Sequence, residues 1–330
     1  MRGLRPNSGY WANGTSVLPM EDYPLFEPTR QRFRMQWQRD LLELQKVASE
    51  VLARLEAEGP LPARAFRSPH RVHGFWDNKS PKTKATSHVL NLLMDIGEVV
   101  VYRKDRERYF TLARRAIPAE LLRRAESIDP DEANAARLER YFRAYRIIDL
   151  GDTRFGWSRM TMSERMGAIR QRMEAGEMVP LAVEGVRRQY FLLAEDLDRL
   201  QEHQRTTTKV PPEGPVQFLP PLDNLLWRRE RVADLFRFNY TWEIYMRPEK
   251  RRYGYYAMPI LMGDRLIGRI DPRMDREQDR LVICLLQLEP WVKLNPRLLR
   301  ALRREVESFA SRHGAEEVEV IHTEPKGLKL

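Results

Sequence analysis

GEVVVYRKDRERYFTL, residues 97–112, decides how the first half of the chain is read. Two apolar runs, Val99–Tyr102 and Tyr109–Leu112, flank a charged tip. β-branched and aromatic residues crowd both runs, which reads as two strands of a hairpin. The tip, Arg103-Lys104-Asp105-Arg106-Glu107-Arg108, carries four positive and two negative charges. Upstream, Val89, Leu90, Leu93 and Met94 recur at helical spacing, and Gly97 is suited to stop that helix. The stretch predicts a helix that runs directly into a short, arginine-rich hairpin.

The pattern returns in GEMVPLAVEGVRRQYFLL, residues 176–193, where Gly176-Glu177 repeats Gly97-Glu98 and Tyr190-Phe191 repeats Tyr109-Phe110. Met166, Ile169, Arg170 and Met173 give the second hairpin its own preceding helix, with Ser163 expected to cap it. Two copies at this long period suit a duplicated small domain rather than a solenoid. Each copy has further helices upstream. Leu44, Ala48, Val51, Leu52 and Leu55 form one stripe, ended by Gly59-Pro60, a short helix is expected around 62–66, and Asp131–Tyr145 is helical in the second copy. Three helices and then a two-stranded hairpin is the order of a winged helix. In that reading the hairpin is the wing, and the helix before it is the recognition helix. The second tip, Val183-Glu184-Gly185-Val186, is not basic, so DNA contact is expected chiefly from the first copy.

Net charge is +10, from 57 basic and 47 acidic residues, which favours an anionic partner, most simply nucleic acid. Lys79, Lys82 and Lys84 stand just ahead of the first recognition helix and join Arg103, Lys104, Arg106 and Arg108 as expected phosphate contacts. A single cysteine, Cys284, excludes a disulfide framework or a Cys-based zinc site within one chain and fits a reducing compartment. No apolar run approaches the roughly 20 residues of a membrane span, and the first residues have no secretory h-region. The expected setting is cytoplasmic and nucleoid-associated, with no membrane partner.

Residues 203–216, HQRTTTKVPPEGPV, read as a linker. Beyond it the character changes. A short helix at Leu225–Phe236 precedes strand-like runs Tyr240–Tyr245, Tyr253–Leu261, Arg265–Asp271 and Leu281–Leu288. A helix follows with Leu298, Leu302, Val306 and Phe309 on one face, and a last strand spans Val318–Ile321. The expected fold class is α+β: two tandem winged-helix domains, then a mainly antiparallel β-rich domain. The boundaries are 1–37 for an N-terminal segment, 38–118 and 119–202 for the winged helices, 203–216 for the linker and 217–330 for the last domain. Lys250, Arg251 and Arg252, just before Tyr253-Gly254-Tyr255-Tyr256, join the DNA-contacting candidates.

Local motifs name no enzyme. There is no Walker A loop and no GxGxxG. His70 and His73 lack a second ligand pair nearby, so neither metal nor cofactor is expected. Cys284 alternates with Leu and Ile and reads as core. Residues 219–271, however, resemble the C-terminal signature of the crosslink-repair DNA glycosylase family, the YcaQ/AlkZ-like winged-helix proteins. The matching residues include Pro221-Leu222-Asp223, Trp227, Phe238, Tyr240, Glu243, Tyr253-Gly254-Tyr255-Tyr256, Gly268-Arg269 and Asp271. Gly9-Tyr10-Trp11-Ala12-Asn13-Gly14-Thr15-Ser16 is similar to a second family segment that usually reads Tyr-Trp-Ala-His-Glu-Ala-Ser. Here Asn13 and Gly14 stand in place of the histidine and glutamate.

The resemblance implies hydrolysis of the N-glycosidic bond of alkylated or crosslinked purines in double-stranded DNA, by a monomer that needs no cofactor. It also implies an additional N-terminal winged helix carrying a Gln-x-Gln or Gln-x-Asp motif, which this chain is expected to lack. Gln36-Trp37-Gln38 has that spelling but follows the Tyr-Trp-Ala segment and reads as part of a helix. The active-site candidates are therefore Tyr10, Trp11 and Asn13. Two readings stand open: a glycosylase with a rebuilt site, and a catalytically silent DNA-binding protein acting as a regulator or repair accessory. A protein-binding scaffold is a third, weaker one.

Overall fold

The computed structural model of the chain describes residues 8–11, 15–75, 77, 80–104, 107–206 and 214–328, with backbone alone for 8–17 and 206. It is a mixed α+β protein that divides into two compact units, Met1–Ala144 with Leu150–Ala168, and Tyr145–Asp149 with Ile169–Leu330.

In the first unit, helices Glu27–Gln36, Gln38–Glu43 and Gln45–Glu58 follow one another with breaks at Trp37 and Leu44. The third ends at Gly59, whose φ of +80° supplies the left-handed turn. Strand Leu61–Pro62 and a single helical turn, Ala63–Ala65, stand where a short helix is expected. A small ribbon, Arg71–Val72 with Thr83–Lys84, leads into helix Ala85–Asp95. That helix hands over to the hairpin Val99–Lys104 and Glu107–Leu112. The sheet order is Leu61–Pro62, Glu107–Leu112, Val99–Lys104.

The run Val99-Val100-Val101 is apolar throughout because both its faces are covered. Val99 and Val101 pack with Val51, Leu55, Val89, Leu90, Leu93 and Phe110. Val100 joins Tyr23, Phe26, Ala113 and Ile117 on the other side. Each such side chain contributes roughly 1.5–3 kcal/mol relative to exposure.

The second module repeats the topology. Helix Pro130–Tyr145, strand Ile147–Ile148, helix Met162–Glu174 and strands Met178–Leu181 and Tyr190–Leu193 follow in order, and the third strand again sits in the middle of the sheet. The handover matches bond for bond. Glu98 N donates to Leu93 O at 3.0 Å and Glu177 N to Arg172 O at 2.8 Å. Ala113 N then donates to Glu98 O, and Ala194 N to Glu177 O, both at 2.9 Å. Thr161, not Ser163, caps the second helix: Glu164 N donates to its Oγ1 while the Glu164 carboxylate accepts from Thr161 N.

The second unit continues with helix Leu197–Thr206, which runs into the expected linker, and strand Val216–Phe218, which begins at its end. The large sheet runs Val216–Phe218, Met258–Met262, Arg265–Asp275, Arg280–Leu288, Glu317–Val320. The first three pairings are antiparallel and the last is parallel, since helix Pro296–Arg312 makes the crossover. Asn295 caps that helix, and Leu298, Leu302, Val306 and Ala310 bury one face against the sheet.

Tyr240–Tyr245 is not a strand. It is irregular chain with one helical turn at Glu243–Tyr245, and the strand expected from Tyr253 starts only at Met258. The cause is two buried carboxylates. Glu243 accepts from Tyr253 N and Gly254 N, and Asp271 accepts from Tyr255 N and Tyr256 N, so those amides never reach a neighbouring strand.

The two handover glycines differ in one respect. Both have positive φ, but a Cβ on Gly97 would lie 2.4 Å from Cδ of the fully buried Arg30, whereas one on Gly176 meets nothing. Left-handed backbone alone costs alanine roughly 1–2 kcal/mol. Gly97→Ala is therefore expected to lower the urea midpoint well beyond Gly176→Ala; equal losses would contradict the packing of Arg30.

Candidate nucleic-acid interface

Many arginines meet a carboxylate where they stand. Arg114 meets Glu56 at 2.5 Å, Arg140 meets Asp22 at 3.0 Å, and Arg146 meets Asp196 at 2.5 Å. In the second unit a chain of contacts locks the second hairpin to helix Arg229–Phe236. Arg228 holds Asp149 with two bonds, and Arg188 and the Tyr190 hydroxyl both donate to Asp234. Burial and the Asp234 contact push the Tyr190 phenol well above its usual range, so it stays protonated. Arg188, one of two cations near that hairpin's tip, is thus taken.

The first hairpin differs. Arg103, Lys104 and Arg108 are exposed, and none pairs with a carboxylate among the described residues. Arg103 lies directly opposite Arg108 across the two strands, a like-charge pair that weakens a ribbon. Burial over the Phe110 ring, and then Arg103, lower the Arg108 pKa. The arrangement repeats in the small ribbon, where exposed Arg71 faces exposed Lys84, and Lys82 is exposed beside them. Two ribbons that oppose cation to cation are built against their own stability, and an anion laid across them removes the repulsion.

Asp77 fixes the loop that presents Lys82 and Lys84. Its carboxylate accepts from Gly74 N, Lys82 N, Thr83 N and the Thr83 hydroxyl, all at 2.9 Å, which holds its pKa far below the usual carboxylate range. Behind the loop, Phe33, Trp37, Phe75 and His88 form a ladder of rings, and Trp37 Nε1 donates to Asp95. Burial lowers the His88 pKa against the pull of Asp40 and Asp77, so the ring is neutral at neutral pH.

The helices before the hairpins differ in the opposite sense to the hairpin tips. Ala85–Asp95 has no exposed residue; only Ser87 and Asn91 are half-exposed. It cannot present a row of side chains to a groove. Met162–Glu174 buries only Ile169 and exposes Met162, Ser163, Met166, Arg170, Gln171 and Met173. The signal was present in composition: ATSHVLNLLMD is apolar around most of its circumference, and MSERMGAIRQRME is polar around most of its own.

Of the other candidates, Lys79, Arg106 and Asn13 lie outside the described residues. Tyr10 and Trp11 lie on strand Ser8–Trp11, opposite Ser16 and Thr15. Gln36 and Gln38 are exposed on either side of the Trp37 break. Lys250 and Arg252 are exposed and Arg251 is half-buried; the Arg251 and Arg252 guanidiniums lie over the Tyr255 and Tyr253 rings, and Arg251 also donates to Met246 O. Arg269 is buried between the rings of Phe238 and Tyr253 and bonded to Gln287 and Glu289. These cations build the loop, and Tyr245 and Tyr255 stand exposed on it beside Lys250. Cys284 is half-buried, and burial and then Asp271 raise its thiol pKa, so it is not a reactive thiolate. Among the described residues, no group of three His, Cys, Asp or Glu side chains is placed to hold a metal ion, and no helix is long and apolar enough to cross a membrane.

The sequence profile of the family described as "DNA glycosylase AlkZ-like" matches residues 9–312. The chain is also similar in structure to Streptomyces sahachiroi DNA glycosylase AlkZ, with a TM-score of 0.52 and 16% identity over 93% of this chain and 78% of that one. At that identity the likeness speaks to the fold.

If the first hairpin lies on phosphate, the double variant Arg103→Glu, Lys104→Glu is expected to weaken duplex binding sharply. Its plot of log affinity against log salt is expected to be shallower by about two contacts' worth, roughly 0.9 each. Unchanged affinity in the folded variant would remove this hairpin from the interface.

Proposed function

The chain belongs to the DNA glycosylase AlkZ-like family, and from that premise we propose that it binds damaged duplex DNA and hydrolyses the N-glycosidic bond of an alkylated or crosslinked purine. The observation that carries the reading is the coincidence of the family match over residues 9–312 with two ribbons whose opposed cations meet no carboxylate among the described residues. The two helix–hairpin modules are read as tandem winged helices, 38–118 and 119–202, ahead of the β-rich domain 217–330. Division of labour follows from exposure. The buried helix Ala85–Asp95 supports its hairpin, which lies along phosphates. The exposed helix Met162–Glu174 supplies side chains for a groove. Tyr245 and Tyr255 offer aromatic faces beside Lys250 against unpaired bases at a lesion.

The chemistry asks little of the protein. An N7-alkylated purine is already cationic, so it departs as a neutral base without prior protonation. What remains is to hold the nucleotide, place a water against the anomeric carbon and favour oxocarbenium-like charge on the sugar. The water's oxygen bonds to that carbon, its proton passes to solvent, and the glycosidic electron pair leaves with the base. Amide and hydroxyl side chains suit the positioning step, which favours Asn13 and Tyr10 among the active-site candidates, with Trp11 between them in the resembled segment. Gln36 and Gln38 are exposed on either side of a helix break.

A second reading, DNA binding without catalysis, is favoured by one specific observation: Asn13 and Gly14 replace the histidine and glutamate of the resembled segment. Base release separates the two. With duplex DNA carrying N7-alkylguanine, abasic sites are expected above the spontaneous rate, to be lost on Asn13→Ala and retained in Gln36→Ala, Gln38→Ala. Tight, salt-sensitive binding with no base release would replace the glycosylase reading by the silent one.

A further inference from the structure

A cavity of about 360 Å³ opens within the first unit between the start of helix Glu27–Gln36, the first turns of helix Pro130–Tyr145 and the loop 158–160. Arg32, Arg137 and Arg159 line it, with Thr29, Asn134 and Ser158. None of the three arginines meets a carboxylate among the described residues. Glu164 stands at the rim, but its carboxylate is held by the Thr161 amide and hydroxyl at 2.6 and 2.8 Å.

Arg137 is 4% exposed. It donates to Thr29 Oγ1 at 2.7 Å and to Asn134 Oδ1, while its Nε has no partner. A buried cation normally sits beside its counter-ion, because desolvation otherwise makes its charged form costly. Here its neighbours worsen matters. Burial, and then Arg32, push Arg137 down to about 10, and Arg32 is itself lowered by burial and by Arg159.

The backbone also works to bring Arg159 in. Gly156 and Trp157 are consecutive left-handed residues, with φ of +64° and +51°. A bulky non-glycine residue rarely holds that conformation, and strained turns of this kind gather at functional sites. The Trp157 ring is fixed edge-on to Tyr141, and a Cβ on Gly156 would already touch Leu138 at 3.0 Å. The turn delivers Ser158 and Arg159 to the cavity mouth.

We propose that this cavity is a receptor for a single phosphate group. Guanidinium forks match phosphate oxygens in pairs, and hydroxyl and amide groups complete the shell. The phosphate comes either from the nucleic-acid backbone or from solution. The first source rests on the DNA-binding reading above and has a geometric reason: Met160 and Glu164 place the cavity at the first turn of helix Met162–Glu174, where a backbone contact fixes a helix on a duplex. The second source needs no DNA at all.

The test uses the full chain and the double variant Arg32→Gln, Arg159→Gln, with Arg159→Gln alone if the double variant fails to fold. Inorganic phosphate, titrated at constant ionic strength in chloride, is expected to raise the wild-type melting temperature, and the variant is expected to lose that rise. In chloride alone the variant is expected to melt no lower than wild type, since a merely structural arginine would lower it. The salt dependence of duplex affinity assigns the source. A slope reduced by about 0.9 or more places a backbone phosphate in the cavity, and an unchanged slope with the phosphate response lost assigns free phosphate. No phosphate response in wild type together with an unchanged slope overturns the site. A protein that responds to phosphate but releases no alkylated base would sink the glycosylase reading and leave this one standing.

Discussion

The pairing of arginine with carboxylate is what the rest of this structure depends on. With 57 basic and 47 acidic side chains, the excess is small enough to scatter harmlessly. The fold gathers part of it. Carboxylates are drawn to arginines that join elements, such as Asp149 to Arg228 and Arg188, or Glu289 to Arg269. Part of what is left over gathers on the ribbon Arg71–Val72 with Thr83–Lys84, on the first hairpin, and around Arg32, Arg137 and Arg159, and the rest stands on exposed arginines elsewhere, such as Arg123, Arg199 and Arg303. A surface ion pair is worth little to stability, about 0–1 kcal/mol. Its larger effect here is to decide where positive potential survives.

The two modules show how one backbone solution takes two roles. Both turn from helix to strand on a left-handed glycine, with the same pair of amide bonds closing the turn. In the first module, Arg30 and Tyr23 pack over the turn, and Ala48, Val51 and Leu55 of the preceding helix bury the helix that leads into it, leaving the hairpin to carry exposed charge. In the second, the hairpin is tied down through Arg188, Tyr190 and Asp234, and the helix is left open. Each module thus exposes the part that the other immobilises.

Much of the fold was legible from residue pattern. Gly97 and Gly176 between a 3–4 spaced apolar stripe and a β-branched run mark the handover without ambiguity, and the sheet strands from Met258 to Leu288 follow from apolar runs and the turn at Gly263-Asp264. Segment 253–256 was not legible, because buried Glu243 and Asp271 claim its amides, and side chain-to-backbone bonds between distant residues leave no period in sequence. The contacts of the Arg251 and Arg252 guanidiniums with tyrosine rings were likewise not legible in the charge run 250–252. Exposure of Lys82, Lys84, Arg103, Lys104 and Arg108 accords with their clustering in charged runs. Arg32, Arg137 and Arg159 are over a hundred residues apart at their extremes, and only the folded chain brings them to one cavity.

The central claim is that cations set opposite one another on the two ribbons, with no carboxylate between them among the described residues, mark the surface that meets DNA. Hydrogen exchange of the full chain, with and without a saturating undamaged duplex, addresses it directly. The account requires slowed exchange in the first hairpin, in the Thr83–Lys84 ribbon and across the first turns of helix Met162–Glu174, with none around the ion-paired cluster of Arg188, Arg228 and Asp234. Protection confined to that cluster or to helix Pro296–Arg312, with the first hairpin unchanged, would contradict it.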